Sequence, residues 1–354
     1  MKTLKILAFI SLAITLQSCG DDDKDKNNLF KLDTSAMKQQ YHLHETLSLS
    51  LVNAKNKPVD SVVYYLNNER AGKVTGNEKL DIKLEGRKFG YQNIKALTFY
   101  DGENAEVTGR IELVSDIQPE LLEYEIVNTY PHDIEAYTQG LEFYRDTLYE
   151  GTGQYQHSTL RKVDYKTGKV YKKISQKGEY FGEGITILNN KVYQLTWREK
   201  TGFIYDADTF EKIKEFPYFK NIEGWGLTND GEYLYQSDGT EKIWKLDPET
   251  LKEVDYVNVY TSNSKIKAVN ELEWIDGKIY GNVYQKDAVA VIDPATGAVE
   301  TIINFSELKQ KVTKHPKMDV LNGIAYNPKT KTIFVTGKNW DKMFEVKIKK
   351  KTEE

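Results

Sequence analysis

Apolar and polar residues alternate along most of the chain in short runs separated by polar turns. Leu47, Leu49 and Leu51 alternate with serines, and Leu80, Ile82 and Leu84 with charged residues. A period of two marks strands buried on one face, so the pattern predicts an all-β protein. In the first third the strand-like runs are His42–Leu51, Val59–Leu66, Lys79–Leu84, Asn93–Tyr100 and Ala105–Leu113. Turn signals fill the gaps: Asn67-Asn68, Gly76-Asn77 and Asp101-Gly102. This predicts a small immunoglobulin-like β-sandwich over 29–118. With no cysteine pair or tryptophan there, the expectation is architectural only. It holds no catalytic constellation, and its expected role is spacer or docking module. His42 and His44 share a strand face but lack a third ligand nearby, so no metal is expected. Asp116–Glu120, containing Pro119, reads as a linker.

From residue 121 to 350 the pattern repeats. Five similar starts recur: Gln139-Gly140-Leu141, Glu183-Gly184-Ile185, Trp225-Gly226-Leu227, Asn270-Glu271-Leu272 and Asn322-Gly323-Ile324. Their middle residues lie 44, 42, 45 and 52 positions apart. A period in the forties with about four short strands per unit signals a β-propeller. Aspartate-led turns (Asp164–Gly168, Asp206–Thr209, Asp247–Thr250, Asp293–Gly297) sit between the two outer strands of successive units and suit type I turns. The fifth unit supplies only three strands. Leu122–Val127, left over before the first repeat, is expected to complete it and close the ring. The fold expected is therefore a five-bladed β-propeller behind the sandwich.

This geometry nominates a site. Residues just before each first strand, and residues ending each second strand, meet at one mouth of the central channel. The first ring is Gln139, Glu183, Trp225, Asn270 and Asn322. The second is Glu150/Gly151, Trp197, Asp238, Tyr284 and Lys338. Carboxylate, carboxamides, aromatic rings and lysine together suit a small-molecule or peptide-end pocket. Aromatic–glycine pairs also recur in propellers for packing alone, which is the plainer reading of the tryptophans.

Composition changes this picture little. In 354 residues, 39% hydrophobic with 24 tyrosines, the net charge of −4 is spread along the chain. No basic face marks a nucleic-acid partner. The five histidines (42, 44, 132, 157, 315) have no zinc-like spacing, so neither metal nor cofactor is expected. The first residues do add something. Lys2 and Lys5 precede the apolar run Ile6–Leu16, too short for a permanent membrane span. Leu16-Gln17-Ser18-Cys19 then resembles a bacterial lipoprotein box. Residues 1–18 are expected to be a signal peptide, Cys19 the acylated residue, and 19–28 an acidic disordered tether. Cys19 is the only cysteine, so it has no disulfide partner. The expected location is the cell envelope, at the outer membrane, facing the periplasm or the surface. A monomer is expected.

In the repeat region the chain resembles the plant and bacterial β-propeller glutaminyl-peptide cyclotransferases. The stretches that carry the resemblance are YTQGLEF (Tyr137–Phe143), FGEGIT (Phe181–Thr186), LTW (Leu195–Trp197), EGWGLT (Glu223–Thr228), VNELEW (Val269–Trp274), GNVY (Gly281–Tyr284), LNGIAY (Leu321–Tyr326) and TGKNW (Thr336–Trp340). They run in order across about 125–348. The resemblance implies Glu183 as the proton-transfer residue, with Gln139, Trp197, Trp225, Asn270 and Lys338 forming the pocket. Phe181 beside Glu183 is read as part of its apolar wall. Tyr284 stands where the family commonly has tryptophan, and Tyr137 where it often has phenylalanine. The implied reaction converts an N-terminal glutamine of a peptide or protein to pyroglutamate and releases ammonia. Lys338, Asn270 or Gln139 would donate to the developing oxyanion. A non-catalytic surface lipoprotein binding peptide ends or glycans is the alternative. A six-bladed lactonase-type metalloenzyme would need a sixth unit and a carboxylate-rich calcium site, and the sequence offers neither.

Overall fold

The structure, a computed structural model, describes residues 29–349, so the signal peptide, Cys19 and the tether lie outside the described residues. It is all-β, with one short 3-10 turn at Leu308–Gln310 among the described residues. The chain forms two compact units that interleave in sequence. Of the described residues, the first draws on 29–38, 47–82 and 93–110, and the second on 39–46, 83–92 and 111–349.

In the first unit the strand Ser61–Leu66 pairs antiparallel with Glu69–Thr75 on one side and with residues 94–99 on the other. Asn67 and Asn68 both have left-handed backbones (φ 52° and 69°). That is the conformation a tight hairpin turn requires, and asparagine tolerates it well. Phe30–Leu32 pairs with Leu51–Asn53, and Phe30 meets Tyr100 edge-on at 5.1 Å. Leu47, Leu49, Tyr64 and Leu66 are buried, as their period-two spacing predicts.

The second unit is built from five antiparallel sheets of β-propeller type. Their strands are, in order, Thr138–Tyr144, Thr147–Thr152, Thr159–Asp164 and Lys169–Ser175 in the first; Gly182–Leu188, Lys191–Thr196, Thr201–Asp206 and Lys212–Pro217 in the second. The third holds Leu227–Asn229, Leu234–Ser237, Lys242–Leu246 and Glu253–Asn258; the fourth Val269–Ile275, Lys278–Val283, Ala288–Ile292 and Val299–Asn304. The fifth takes Leu321–Asn327, Thr332–Gly337 and Lys342–Ile348 from the end of the chain and Tyr124–Pro131 from before the first sheet. The first strands neighbour one another in this order, and that of the fifth sheet returns to that of the first.

The segment expected to close the ring as one piece is divided. Glu120–Leu122 runs parallel to Val299–Asn304 on the outer edge of the fourth sheet, whereas Tyr124–Pro131 pairs antiparallel with Lys342–Ile348. One passage of chain thus covers two outer edges that would otherwise offer unpaired backbone groups.

The outer turns share one geometry. The fifth residue of each (Gly168, Phe210, Leu251, Gly297) has a left-handed backbone, and its N–H donates to the carbonyl of the leading aspartate at 2.8–2.9 Å. In three of them the threonine N–H donates to the aspartate Oδ1 (Thr209, Thr250, Thr296). A bulge follows at each turn, between the third and fourth strands. A turn closed by a left-handed residue and a bulge is a common three- to five-residue hairpin solution.

Residues 39–46, 83–92 and 111–116 belong with the later sheets through specific contacts. Phe89 packs on the buried Tyr260 at 5.9 Å, with Val114 and Ala298 in the same cluster. Tyr260 donates to Glu112 at 2.8 Å and Asn258 Nδ2 to the Phe89 carbonyl at 2.5 Å.

Two outcomes follow. Deleting residues 1–129 removes most of the closing strand as well as the second unit's 39–46, 83–92 and 111–116. Deleting 1–118 removes those segments but keeps the strand, so the longer deletion should aggregate markedly more. Light scattering after purification distinguishes them, and equal aggregation would overturn the closure. Phe89→Ala should lower the stability of the second unit by about 3 kcal/mol in a denaturant titration, the size usual for emptying a buried phenylalanine site.

Candidate active site

Ring assembly requires the inner strands to come close. A Cβ on Gly184 would stand 2.6 Å from the Trp225 carbonyl oxygen and the Leu227 nitrogen, and one on Gly226 only 1.9 Å from the Asn270 carbonyl oxygen. Glycine in the repeated starts is therefore a steric demand, and it leaves the preceding residue of each start at the channel mouth. Gln139, Glu183, Trp225 and Asn270 meet there around a cavity of about 200 Å³, with Tyr137, Gln154, Phe181, Trp197, Tyr284 and Lys338. That is below the roughly 300–1,000 Å³ of pockets for drug-sized ligands and suits a single side chain.

The floor is polar and buried, and the walls are aromatic and only partly exposed. Gln139, Glu183, Asn270 and Lys338 are each no more than 4% exposed. Gln139 Nε2 donates to Glu183 Oε1 at 3.0 Å, while its own Oε1 accepts from Asn322 Nδ2 at 3.2 Å. Asn322 Nδ2 is anchored in turn on the Thr138 carbonyl at 2.9 Å. This relay sets the direction of the Gln139 amide, so that a donor faces the carboxylate. Asn270 lines the cavity, and its Oδ1 is buried without accepting a hydrogen bond.

Burial drives the Glu183 carboxyl well above the ordinary carboxylate range; Lys338 pulls it back down, and Glu223 and Glu199 push it further up. Burial also lowers the Lys338 ammonium, against the opposing pull of Glu183 and Asp319. Lys338 Nζ forms no hydrogen bond or ion pair among the described residues. It lies instead 4.8 Å from the centre of the Tyr137 ring and 5.3 Å from that of Tyr284. Ring faces stabilise a cation without using up its donors.

The walls interlock edge to face. Phe181 contacts Tyr137, Tyr155 and Trp197 at 6.1, 5.3 and 5.5 Å, and Trp225 meets Tyr284 at 5.6 Å. Glu223 clamps both tryptophans: its Oε2 accepts from Trp197 Nε1 at 2.8 Å and from Trp225 Nε1 at 3.0 Å. Its Oε1 accepts from Arg198 Nε at 3.1 Å, and the Arg198 guanidinium lies 3.7 Å from the centre of the Trp197 ring. Tyr137 is held through its hydroxyl, which donates to Asp319 at 2.9 Å.

The sequence of the repeat region now reads together with this geometry. The sequence model of the glutamine cyclotransferase family matches residues 98–348. This chain belongs to the glutamine cyclotransferase family. It is 40% identical over 237 residues to the glutaminyl-peptide cyclotransferase of Arabidopsis thaliana, covering 66% of this chain and 74% of that protein. The crystal structure of Myxococcus xanthus glutaminyl cyclase superposes with a TM-score of 0.61 at 34% identity, over 65% of this chain and 98% of that one.

Within this cyclotransferase the cavity gathers all eight pocket residues nominated from the sequence: Glu183, Lys338, Gln139, Phe181, Trp197, Trp225, Asn270 and Tyr284. Three other members of the expected rings do not line it. Asn322 sits behind Gln139. Glu150 is turned into a buried network with His132 (2.9 Å), Thr138 (2.8 Å) and Arg161 (3.6 Å). Asp238 accepts from the Trp244 indole at 2.8 Å and caps the Thr240 turn. Both carboxylates are consumed by packing. The nomination by rings missed Tyr137, Gln154 and the clamp Glu223. Tyr137, Phe181 and Glu223 each lie two residues before a first-ring member, so the period of two puts them on the same side of the chain.

Glu223→Ala should free both indoles. Hydrogen bonds to a charged acceptor are worth about 1.5–3 kcal/mol, and partial exposure of Glu223 favours the low end. About a tenfold weaker affinity for a glutaminyl dipeptide, with greater mobility in tryptophan fluorescence anisotropy, is the expected result. Unaltered affinity and anisotropy would show that the walls hold without the clamp.

Proposed function

We propose that this cyclotransferase is a five-bladed β-propeller behind an immunoglobulin-like domain at 29–118, with Glu183 as its proton shuttle and Lys338 as its oxyanion donor. The reaction converts an N-terminal glutamine of a peptide to pyroglutamate with release of ammonia. One observation carries the assignment of roles: a desolvated carboxyl shares the floor of an aromatic cup with a lysine whose donors are unspent. The closed order of the five sheets, with the last completed from the front of the chain, supports the blade number.

The substrate's γ-carboxamide and α-amine must face each other in a five-membered arrangement. The rings of Phe181, Trp197, Trp225 and Tyr284 enclose that shape and supply proximity. Asn270, on the cavity wall, offers its carboxamide for a hydrogen bond that aligns the substrate. The neutral α-amine nitrogen attacks the carboxamide carbon, forming the new C–N bond, and Glu183 as carboxylate takes one amine proton. Charge builds on the carboxamide oxygen, where a Lys338 N–H donates to it. Collapse breaks the bond to the original amide nitrogen, and the same proton passes from Glu183 to that nitrogen, which leaves as ammonia. The proton taken equals the proton returned, and no other reactant is needed. A shuttle works best with a pKa near the working pH, which is the direction burial drives Glu183. Gln139, held by Asn322, keeps a donor on the carboxylate oxygen while the other oxygen serves the substrate.

The address is part of the proposal. The lipoprotein box at Cys19 and the acidic segment after it support an envelope lipoprotein, exported and anchored at the outer membrane. Acyl chains contribute about 0.8 kcal/mol per buried CH₂, so Cys19→Ala should move the protein from the membrane to the soluble fraction. Unchanged partitioning would refute the anchor.

Glu183→Gln retains size and hydrogen bonding but cannot carry the proton. We expect kcat to fall about 10²–10⁴-fold with KM little changed and the melting temperature kept. The pH profile gives an independent check. Glu183 must be ionised to act, so kcat falls as pH drops through its raised pKa, on a limb above the ordinary carboxyl range. Glu223→Gln removes a negative neighbour that opposes this ionisation, and should move the limb to lower pH. A folded Glu183→Gln protein cyclising near the parent rate would remove Glu183 from the mechanism.

A further inference from the structure

Beside the pocket runs a second depression of about 690 Å³ that shares the pocket's Tyr137 and Gln154 walls. Its remaining lining includes Asp133, Glu135, Arg161, Lys173 and Lys317. We propose that this groove seats the second and third residues of the peptide substrate and favours acidic side chains there. The inference rests on the pocket's taking an N-terminal glutamine.

Once the glutamine's amine and side chain are both inside the cup, its carbonyl is the one point at which the chain continues. Two further residues extend about 7 Å, so they lie on the rim next to the cavity. The rim differs in charge from side to side. Beside Trp197 stand Glu199 and Glu223 with Arg198; Glu223 holds Arg198 at 3.1 Å, and Tyr155 donates to Glu199 at 2.9 Å. On the groove side cations outnumber anions. Arg161 is neutralised by Asp133 at 2.8 Å, and Glu150 behind it is paired with His132 at 2.9 Å. Lys173 lies directly across the strand pair from Arg161 and makes no ion pair among the described residues. Lys317 is held by Glu135 at 3.3 Å, but both side chains are 69% exposed. Exposed pairs of this kind contribute little and exchange partners readily. Lys173 thus offers an unpaired positive charge to an incoming chain, and Lys317 a loosely paired one, whereas Glu199 and Glu223 on the rim beside Trp197 disfavour an acidic one.

Complementary rim charges act mainly on encounter and affinity, and salt screens them. The test measures kcat/KM of the full chain for amidated Gln-Glu-Glu, Gln-Ala-Ala and Gln-Lys-Lys, each divided by the value for glutamine amide, which has no second residue. At low ionic strength the Glu peptide should exceed the Lys peptide about tenfold, chiefly through KM, and the ratio should shrink at about 0.3 M salt. In the double variant Lys173→Glu/Lys317→Glu the order should reverse. Equal ratios for the three peptides, or an order the double variant leaves intact, would overturn the groove. Failure of the parent protein to turn over glutamine amide would instead overturn the functional reading, and the groove with it. Turnover of glutamine amide by the double variant shows that it has folded.

Discussion

Every first strand of the second unit has one edge paired within its own sheet and one edge facing the channel, where no strand covers it. Those backbone donors must find partners in a place water hardly reaches. Buried and half-buried carboxylates from neighbouring sheets supply them. Glu142 of the first sheet accepts from Ile187 N and Thr186 Oγ1 of the second, and Glu273 of the fourth accepts from Tyr326 N of the fifth. Glu271, standing where the other repeats have glycine, reaches Leu141 N of the first sheet and Ile324 N of the fifth. Burial raises all three carboxyls, Glu142 to about 8. Glycine at the other starts makes the approach sterically possible, and glutamate at the fourth joins sheets that glycine alone would leave unlinked.

The same desolvation raises the Glu183 carboxyl, with one difference. Glu142, Glu271 and Glu273 spend their oxygens on backbone and hydroxyl donors of the fold, so their charge serves structure. Among the described residues Glu183 has a single donor, Gln139, and it lines a cavity with the rest of its hydrogen-bonding capacity unused. Burial alone therefore does not mark a functional carboxylate here; burial beside unspent capacity and open space does. Glu150 makes the contrast plain, since it is as buried as Glu183 but His132 and Arg161 hold its carboxyl below the ordinary range.

Much of this was legible in the sequence because strand period and repeat period are both backbone properties. The spacing of Gly140, Gly184, Gly226, Glu271 and Gly323 placed the inner strands, and the residue before each named most of the floor. Side-chain partnerships across sheets were not legible. Nothing in the spacing distinguishes Lys338, which points at two rings, from Asp238, which is taken by the Trp244 indole. Glu223 lies inside the motif EGWGLT, yet its clamp depends on Trp197 from the preceding sheet. The division of the closing segment at Glu123 and the grouping of 39–46 and 83–92 with later sheets rest on contacts such as Phe89 with Tyr260. Those join residues far apart in the chain and leave no local signature.

Tyr284 shows how one such partnership bears on the chemistry. It stands where the family commonly carries tryptophan, and its ring meets both Trp225, edge-on, and the Lys338 ammonium. A smaller ring leaves more of the cup open and presents a weaker π face than an indole would. Lys338 is correspondingly less neutralised by its surroundings, and in a buried site an incompletely satisfied ammonium is drawn toward any negative charge that develops nearby. On the proposed mechanism that charge would be the oxyanion of the cyclising carboxamide, and stabilisation would fall on the transition state more than on the bound substrate.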